Sequence, residues 1–363
     1  MHENKRTEPG SSVKRIVSGA GRCATVNRRT LFLLAAFFLM AVSADTNYAQ
    51  DAANHPSNPA PSTPEVHVIH VQGKVYMITG AGGNITLQVG DDGILLVDTG
   101  LPSMSDKVVQ AIRSISDKPI RYIVDTHIHQ DHTGGNAAIG QLGSTITGGN
   151  VVGNIGASAG EGATIVAFQS ILDRMSDENG KDKAPEKAWP TDTYTGAEKK
   201  LFFNGEAIEV IHQPAAHTDG DSMVFFRRSD VVSTGDIFTT TNYPIIDAQR
   251  GGTIQGIIDG LNRLIYQITI PADKQEGGTM VIPGHGRICD QADVVYYQEM
   301  VIIIRDRIQN MINKGMSLEE VKESRPTRDY DGLYGSDKGF WTTDMFVSAV
   351  YQSLKDQHDK AEK

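Results

Sequence analysis

Cysteine is almost absent, with two in 363 residues, so a disulfide framework is excluded. An excess of basic charge is also lacking: 34 Lys and Arg stand against 44 Asp and Glu, a formal net charge of -10. Phosphate binding wants a basic surface, which excludes free nucleic acid as the main partner. No apolar run approaches the ~20 residues that span a bilayer. Low-complexity tracts and solenoid-type repeats are missing too. What remains is an ordinary globular composition, 39% hydrophobic and 21% charged, with apolar content enough for a sizeable core. The 37 glycines imply many tight turns.

The N-terminus reads as an export signal. Residues 1–29 carry seven Lys or Arg against two Glu, and an uncharged run follows from Thr30 to Ala44. Small residues at Ser43, Ala44 and Ala49 supply cleavage sites. Arg28-Arg29 before the apolar run resembles a twin-arginine signal. Residues 1–50 are therefore assigned to signal and cleavage region, and the protein is expected to be periplasmic or secreted, with no stable membrane span after processing. Removing residues 1–44 takes the net charge from -10 to -15 and leaves Cys289 as the remaining cysteine. Residues 51–64, rich in Pro, Ala, Ser and Asn, read as a flexible tether.

From Val66 the pattern is one of short strands: Val66–His70, Val75–Thr79, Ile85–Val89 and Ile94–Val97, split by glycine-rich turns. A helix carrying Val108, Ile112 and Ile115 on one face follows, with Ser103 and Ser105 as cap candidates, then a strand at Ile120–Val124. A helix is expected over Ala163–Arg174 and a surface loop over Ser176–Thr195. A second strand cluster covers Leu201–Phe203, Ala207–Ile211, Met223–Phe226 and Val231–Ser233. Helix Ile254–Ile268, strand Met280–Ile282 and helices Ala292–Lys314 and Thr342–Lys360 complete the chain, with a capping box at Ser317 and Glu320. Two strand-rich halves, each followed by helix, predict two sheets with helices outside them, a four-layer α/β sandwich over residues 65–290. Residues 291–363 are expected to pack on it as a helical extension.

Chemistry concentrates in His127-Ile128-His129-Gln130-Asp131-His132, directly after the strand Ile120–Val124. Three histidines and an aspartate in six residues on a strand-exit loop point to a metal site, because His is the commonest neutral metal ligand and Asp adds charge. His127 and His129 alternate with Ile128 and so face one way in extended chain. His217, Asp236 and His285 each follow a strand-like run, in HTDGDS, TGD and PGHG. Each is weak alone, and together they complete a two-metal set.

The order HxHxDH, His, GD, GHG resembles the metallo-β-lactamase-fold superfamily of metallohydrolases, over about Val66 to Arg287. Asp98-Thr99-Gly100 resembles that family's early strand-end aspartate. The resemblance implies an αββα sandwich with two metals at one edge. The first would be held by His127, His129 and His217, the second by Asp131, His132 and His285, with Asp236 shared. This is the ligand set of glyoxalase-II-like branches. The lactamase branch with cysteine at the Asp236 position also tends to carry a lysine where this chain has Thr239. A dedicated β-lactamase is therefore an alternative rather than the leading reading.

The implied function is hydrolysis of a small-molecule ester, lactone, thioester or lactam, by a hydroxide shared between two cations and oriented by Asp131. Zinc lowers the pKa of bound water from 15.7 to ~7. Carboxylate-rich sites also suit iron or manganese. An iron-dependent oxidoreductase of the persulfide dioxygenase type is the alternative from another class. Asn242 and Tyr243, close after Asp236, are candidate pocket residues, as is Trp341. Arg250 and Arg287 are candidate partners for a substrate carboxylate. Cys289 is read as a small buried thiol and His212 as a strand-end residue.

Overall fold

The computed structural model describes residues 65–145 and 162–361, with side chains through residue 356. The export signal at 1–50 and the tether at 51–64 lie outside the described residues. Seven strands form the first sheet in sequence order: β1 (His67–Gln72), β2 (Val75–Thr79), β3 (Ile85–Gly90), β4 (Gly93–Val97), β5 (Ile120–Val124), β6 (Thr164–Phe168) and β7 (Asp192–Tyr194). Strands β1 to β4 pair antiparallel, and β4 to β7 pair parallel. The second sheet comprises β8 (Glu198–Phe203), β9 (Glu206–His212), β10 (Ser222–Phe226), β11 (Val231–Ser233) and β12 (Met280–Ile282), in the order β12-β11-β10-β9-β8. The parallel pair there is β11 with β12.

Alternation along the strands builds the layers. In β4, Leu95 and Val97 face the second sheet while Ile94 and Leu96 face away. In β10, Val224 and Phe226 meet the first sheet while Met223 and Phe225 face outward. With a period of two, each strand therefore feeds two cores. The outer face of the first sheet is covered by α1 (Ser105–Ile115) and α3 (Asn136–Gln141), through Val108, Ile112 and Ile139. The short α2 (Gln130–Thr133) lies between them in sequence, and α4 (Gln169–Ser176) follows β6. The outer face of the second sheet is covered by α5 (Ile254–Arg263) and α6 (Gln291–Asn313). Further on come α7 (Leu318–Glu323), α8 (Asp331–Tyr334) and α9 (Thr343–Ala361), and Val321, Phe346, Val350 and Leu354 join the same core. The result is the αββα sandwich. None of the described helices is long and apolar enough to cross a membrane.

Three expectations are corrected. Ala163–Arg174 is not one helix: Thr164–Phe168 is strand β6, paired with β5, and only Gln169–Ser176 is helical. A short apolar run cannot be told from a buried helix by periodicity, and here the β-branched Thr-Ile-Val decides for strand. The Ser176–Thr195 loop contains a 3-10 turn at Glu186–Ala188 and the edge strand β7. Helix α1 lacks a serine cap: its N-cap is Met104, and Ser105 Oγ donates to the Pro102 carbonyl at 2.9 Å. The Ser317–Glu320 capping box is present, at the start of α7.

Candidate metal centre

The histidine and aspartate side chains gather where strands of both sheets end. Asp98 follows β4, residues 125–132 follow β5, His217 lies between β9 and β10, Asp236 follows β11 and His285 follows β12. Ligand sites of open α/β sheets form outside the carboxyl ends of the strands in this way. Four of the seven residues thus come from the first sheet and three from the second.

The structure brings all seven together in two groups. One set of donor atoms, from His127, His129, His217 and Asp236, lies within 4.8 Å of one another; a second set, from Asp131, His132 and His285, does the same. Asp236 divides its carboxylate between them. Its Oδ2 is 3.9 Å from His127 Nε2 and 3.7 Å from His217 Nε2. Its Oδ1 is 3.3 Å from His132 Nε2 and 3.5 Å from His285 Nε2. Asp131 Oδ2 lies 3.2 Å from His285 Nε2 and 3.7 Å from His132 Nε2.

Four histidines have their outer nitrogen fixed. His132 Nδ1 donates to Asp98 Oδ2 at 2.7 Å, and His217 Nδ1 donates to the Ile245 carbonyl at 2.7 Å. His129 Nε2 donates to Asp247 Oδ2 at 3.0 Å. Thr126 Oγ1 donates to Asp98 Oδ2, which leaves it to accept from His127 Nδ1 at 3.0 Å. Carboxylates and carbonyls accept only, so the proton sits outside and each lone pair points inward. His217 Nε2 and His129 Nδ1 then face each other at 2.9 Å, and two lone pairs so close repel unless positive charge lies between them. The buried His127 Nε2 and Asp236 Oδ1 have no hydrogen-bond partner. A buried orphan of this kind calls for an ion. The donor set fits divalent metal.

Protonation follows the same division. Burial pushes His127 well below its ordinary range, helped by His132 and His217, and pushes His217 down to about 4. Both rings stay neutral and offer lone pairs. Burial also opposes charge on His132 and His285, but Asp236, with Asp98 at His132 and Asp131 at His285, outweighs it and raises both. Burial would raise Asp236, yet the surrounding histidines hold it well below the carboxylate range. Metal binding here would displace protons.

The residues supporting the cluster were only partly visible in sequence. Asp98, held at φ +65, also accepts the Thr126 N–H at 2.8 Å. Asp221 accepts the backbone N–H groups of His217 and Thr218 and so fixes the turn rather than a ring. Asp247 stands in no recognisable motif, and only its contact with His129 marks it as part of the site. Arg250 binds Asp247 and, through Nε and Nη2, both oxygens of Asp182. It is therefore fully engaged within the chain and is not an anchor for a substrate carboxylate. Arg287 is likewise paired with both oxygens of Asp293.

Tyr243 is corrected as well. It is 1% exposed, stacks on Phe346 with ring centroids 4.7 Å apart, and donates to Asp331 and the Thr327 carbonyl. It packs the second sheet's helical layer rather than a pocket. Asn242 Oδ1 accepts from Thr239 and Thr241 hydroxyls, closing the loop after Asp236. Trp341 packs against the same core as Tyr243. His212 stacks on Phe168 and bonds the Asp219 carbonyl, a structural role at the end of β9. Cys289 is buried, its thiol pushed up to about 12 by burial.

Asp98→Asn tests the outer anchors. Asparagine keeps the left-handed backbone. Its amide, however, would present N–H to His132 Nδ1 and favour the tautomer with the proton on the inward nitrogen. Metal affinity should fall about 10–100-fold, measured by competition with a chromophoric chelator.

A family model described as metallo-beta-lactamase superfamily matches residues 78–285. The linear primary-alkylsulfatase of Pseudomonas sp. (strain ATCC 19151) is 25% identical over 266 residues, covering 64% of this chain and 48% of the relative. The 2,4-dinitroanisole O-demethylase subunit alpha of Nocardioides sp. (strain JS1661) is 24% identical over 196 residues, 52% of this chain and 53% of the relative. The chain spans about half the length of these curated relatives. Among solved structures, the stereoselective inverting sec-alkylsulfatase Pisa1 from Pseudomonas sp. superposes with a TM-score of 0.56 at 16% identity, covering 79% of this chain and 50% of the other. The DIM-1 metallo-beta-lactamase gives 0.48 at 18% identity, covering 66% of this chain and 97% of the other.

Proposed function

Because this chain belongs to the metallo-beta-lactamase superfamily, a superfamily of hydrolases, we propose that it is an exported metal-dependent hydrolase that adds water across a small-molecule ester, sulfate esters included. The observation that carries this is the division of the Asp236 carboxylate between two clusters of inward-facing donors. His127, His129 and His217 would hold one divalent cation, Asp131, His132 and His285 a second, with Asp236 common to both. The histidine-rich set favours zinc. Cations in these positions supply Lewis acidity and a water acidic enough to react at neutral pH.

The chain's own residues do the rest. Asp131, a third exposed, orients the attacking water and takes its proton, which leaves finally with the departing alcohol. Asp236 is buried and keeps both donor clusters in register. Two carboxylates against two divalent cations leave net positive charge, so an anionic ester head needs no basic side chain. That accounts for a site in which Arg250 and Arg287 are both already paired. The curated alkylsulfatase relative supports an ester over a lactam, and Thr239, turned into its own loop, offers no carboxylate anchor. Export rests on the basic stretch, apolar run and small-residue sites of residues 1–50.

The test uses mature protein recovered from the periplasm or medium, beginning after Ala44 or Ala49. Metal analysis should give about two ions per chain. An alkyl sulfate and a carboxylic ester should be turned over, and a lactone, thioester and lactam less well, with all turnover abolished by chelator and restored by zinc. Fully loaded protein inert to every one of these substrates would overturn the reading.

A further inference from the structure

Two surface grooves, of about 870 and 750 Å³, lie away from the histidine cluster and include none of its residues. A third cavity, of about 470 Å³, has the His129 ring as part of its wall. It is the size of a small-molecule site. It lies between α2–α3 and the segment leading into β7. Its walls are mainly small and apolar: Ile128, Ala137, Ala138, Met175, Ala184 and Ala188. Along one edge runs the ionic chain Asp182–Arg250, whose Asp247 partner binds His129. Those charges neutralise one another, and the two lysines of the lining, Lys181 and Lys183, are solvent-exposed, so the buried part of the wall offers an incoming group hydrocarbon contact.

We propose that this cavity takes the organic part of the substrate, an unbranched, uncharged hydrocarbon chain whose reactive head sits at the cluster beside His129. The proposal rests on the hydrolase reading for the head group, and adds which substrates are chosen and by which residues. Three features support it. The wall shared with the cluster is His129, whose Nδ1 faces His217 and whose side chain is 24% exposed. The small side chains at Ala137, Ala138, Ala184 and Ala188 leave room that a hydrocarbon chain would fill. The segment bearing Ala184 and Ala188 is held in place from the cluster side by Arg250, and from within by the Trp189 indole N–H donating to the Ala184 carbonyl. Ala138 governs the width, since it stands exposed on α3 and a larger side chain there fills the cavity without entering the core.

The experiment measures equilibrium binding, so it does not depend on turnover. Butanoate, hexanoate and octanoate are titrated calorimetrically into zinc-loaded protein, wild type, Ala138→Trp and Ala184→Phe. Each buried methylene should strengthen binding up to about fourfold, so octanoate should bind at least tenfold more tightly than butanoate. Both substitutions should bring that ratio towards one. A flat series in the wild type, or a chain-length gain that survives both substitutions, would overturn the proposal. Failure of the hydrolase reading would show instead as absent ester turnover with the chain-length dependence of binding intact.

Discussion

Replacing Asp236 with alanine is expected to lower ester turnover by on the order of 10³-fold or more and to reduce bound metal from about two ions per chain to one or fewer. The carboxylate is 7% exposed and faces His127 and His217 with one oxygen and His132 and His285 with the other. Among the described residues, no other side chain divides its donor atoms between the two groups in this way. Removing it also strands two imidazoles whose charge it supports, so His132 and His285 should lose their raised proton affinity. Asp236→Asn separates charge from shape: it retains two polar atoms at the same place but halves the acceptor capacity. It should hold more metal than alanine and remain far below wild type in activity. Elemental analysis beside turnover measures both, and an alanine variant with full metal and wild-type turnover would remove Asp236 from the mechanism.

The second large effect comes from a residue with no side chain. A Cβ on Gly284 would stand 2.0 Å from Asp236 Oδ1 and 2.7 Å from the Gly235 carbonyl carbon. The backbone has nowhere to retreat: the Gly284 N–H donates to the Gly235 and Phe238 carbonyls, and its own carbonyl accepts from Asn84. Gly284→Ala should cost about 1–3 kcal/mol of stability through overpacking, or several degrees in Tm at roughly 2–4 °C per kcal/mol. It should also expel the carboxylate from its shared position, so metal affinity falls along with Tm. Gly332→Ala is the control, since a Cβ there meets nothing within 4 Å; it should stay within about 0.5 kcal/mol of wild type. Calorimetric scans with and without zinc distinguish the two effects. A Gly284→Ala protein as stable and as metal-rich as its parent would mean that the backbone at this point is looser than its hydrogen bonds imply.

The HIHQDH stretch was legible because its spacing is local, and a strand exit concentrates it in six residues. His217, Asp236 and His285 were legible only as a set, each being an ordinary turn residue by itself. What escaped was long-range. Asp247 is 118 residues from the His129 it orients, and Arg250 is 68 from its Asp182 partner, distances over which sequence pattern carries no pairing signal. Proximity in sequence misled at Tyr243: seven residues after Asp236, the chain has already turned into the helical layer, where its N–H meets the Tyr334 carbonyl. Strand β6 was lost because a short run, Thr164 and four apolar residues, beside a helix reads as part of it, and β7 because three residues are too few to show alternation. The remaining strands were visible since alternation or β-branched runs between glycine turns mark them directly.

That the two halves of the sandwich contribute to each donor cluster has a mechanical consequence. His127 and His129 on one side meet His217 and Asp236 on the other, and Asp131 and His132 meet His285. An ion bound in either place acts as a rivet through both sheets at one rim, while apolar contact and the cross-sheet hydrogen bonds of Gln88 with Glu206 and of Tyr194 with Ser222 close the rest of the seam. Parting of the two leaves must then begin away from that rim for as long as the rivets hold.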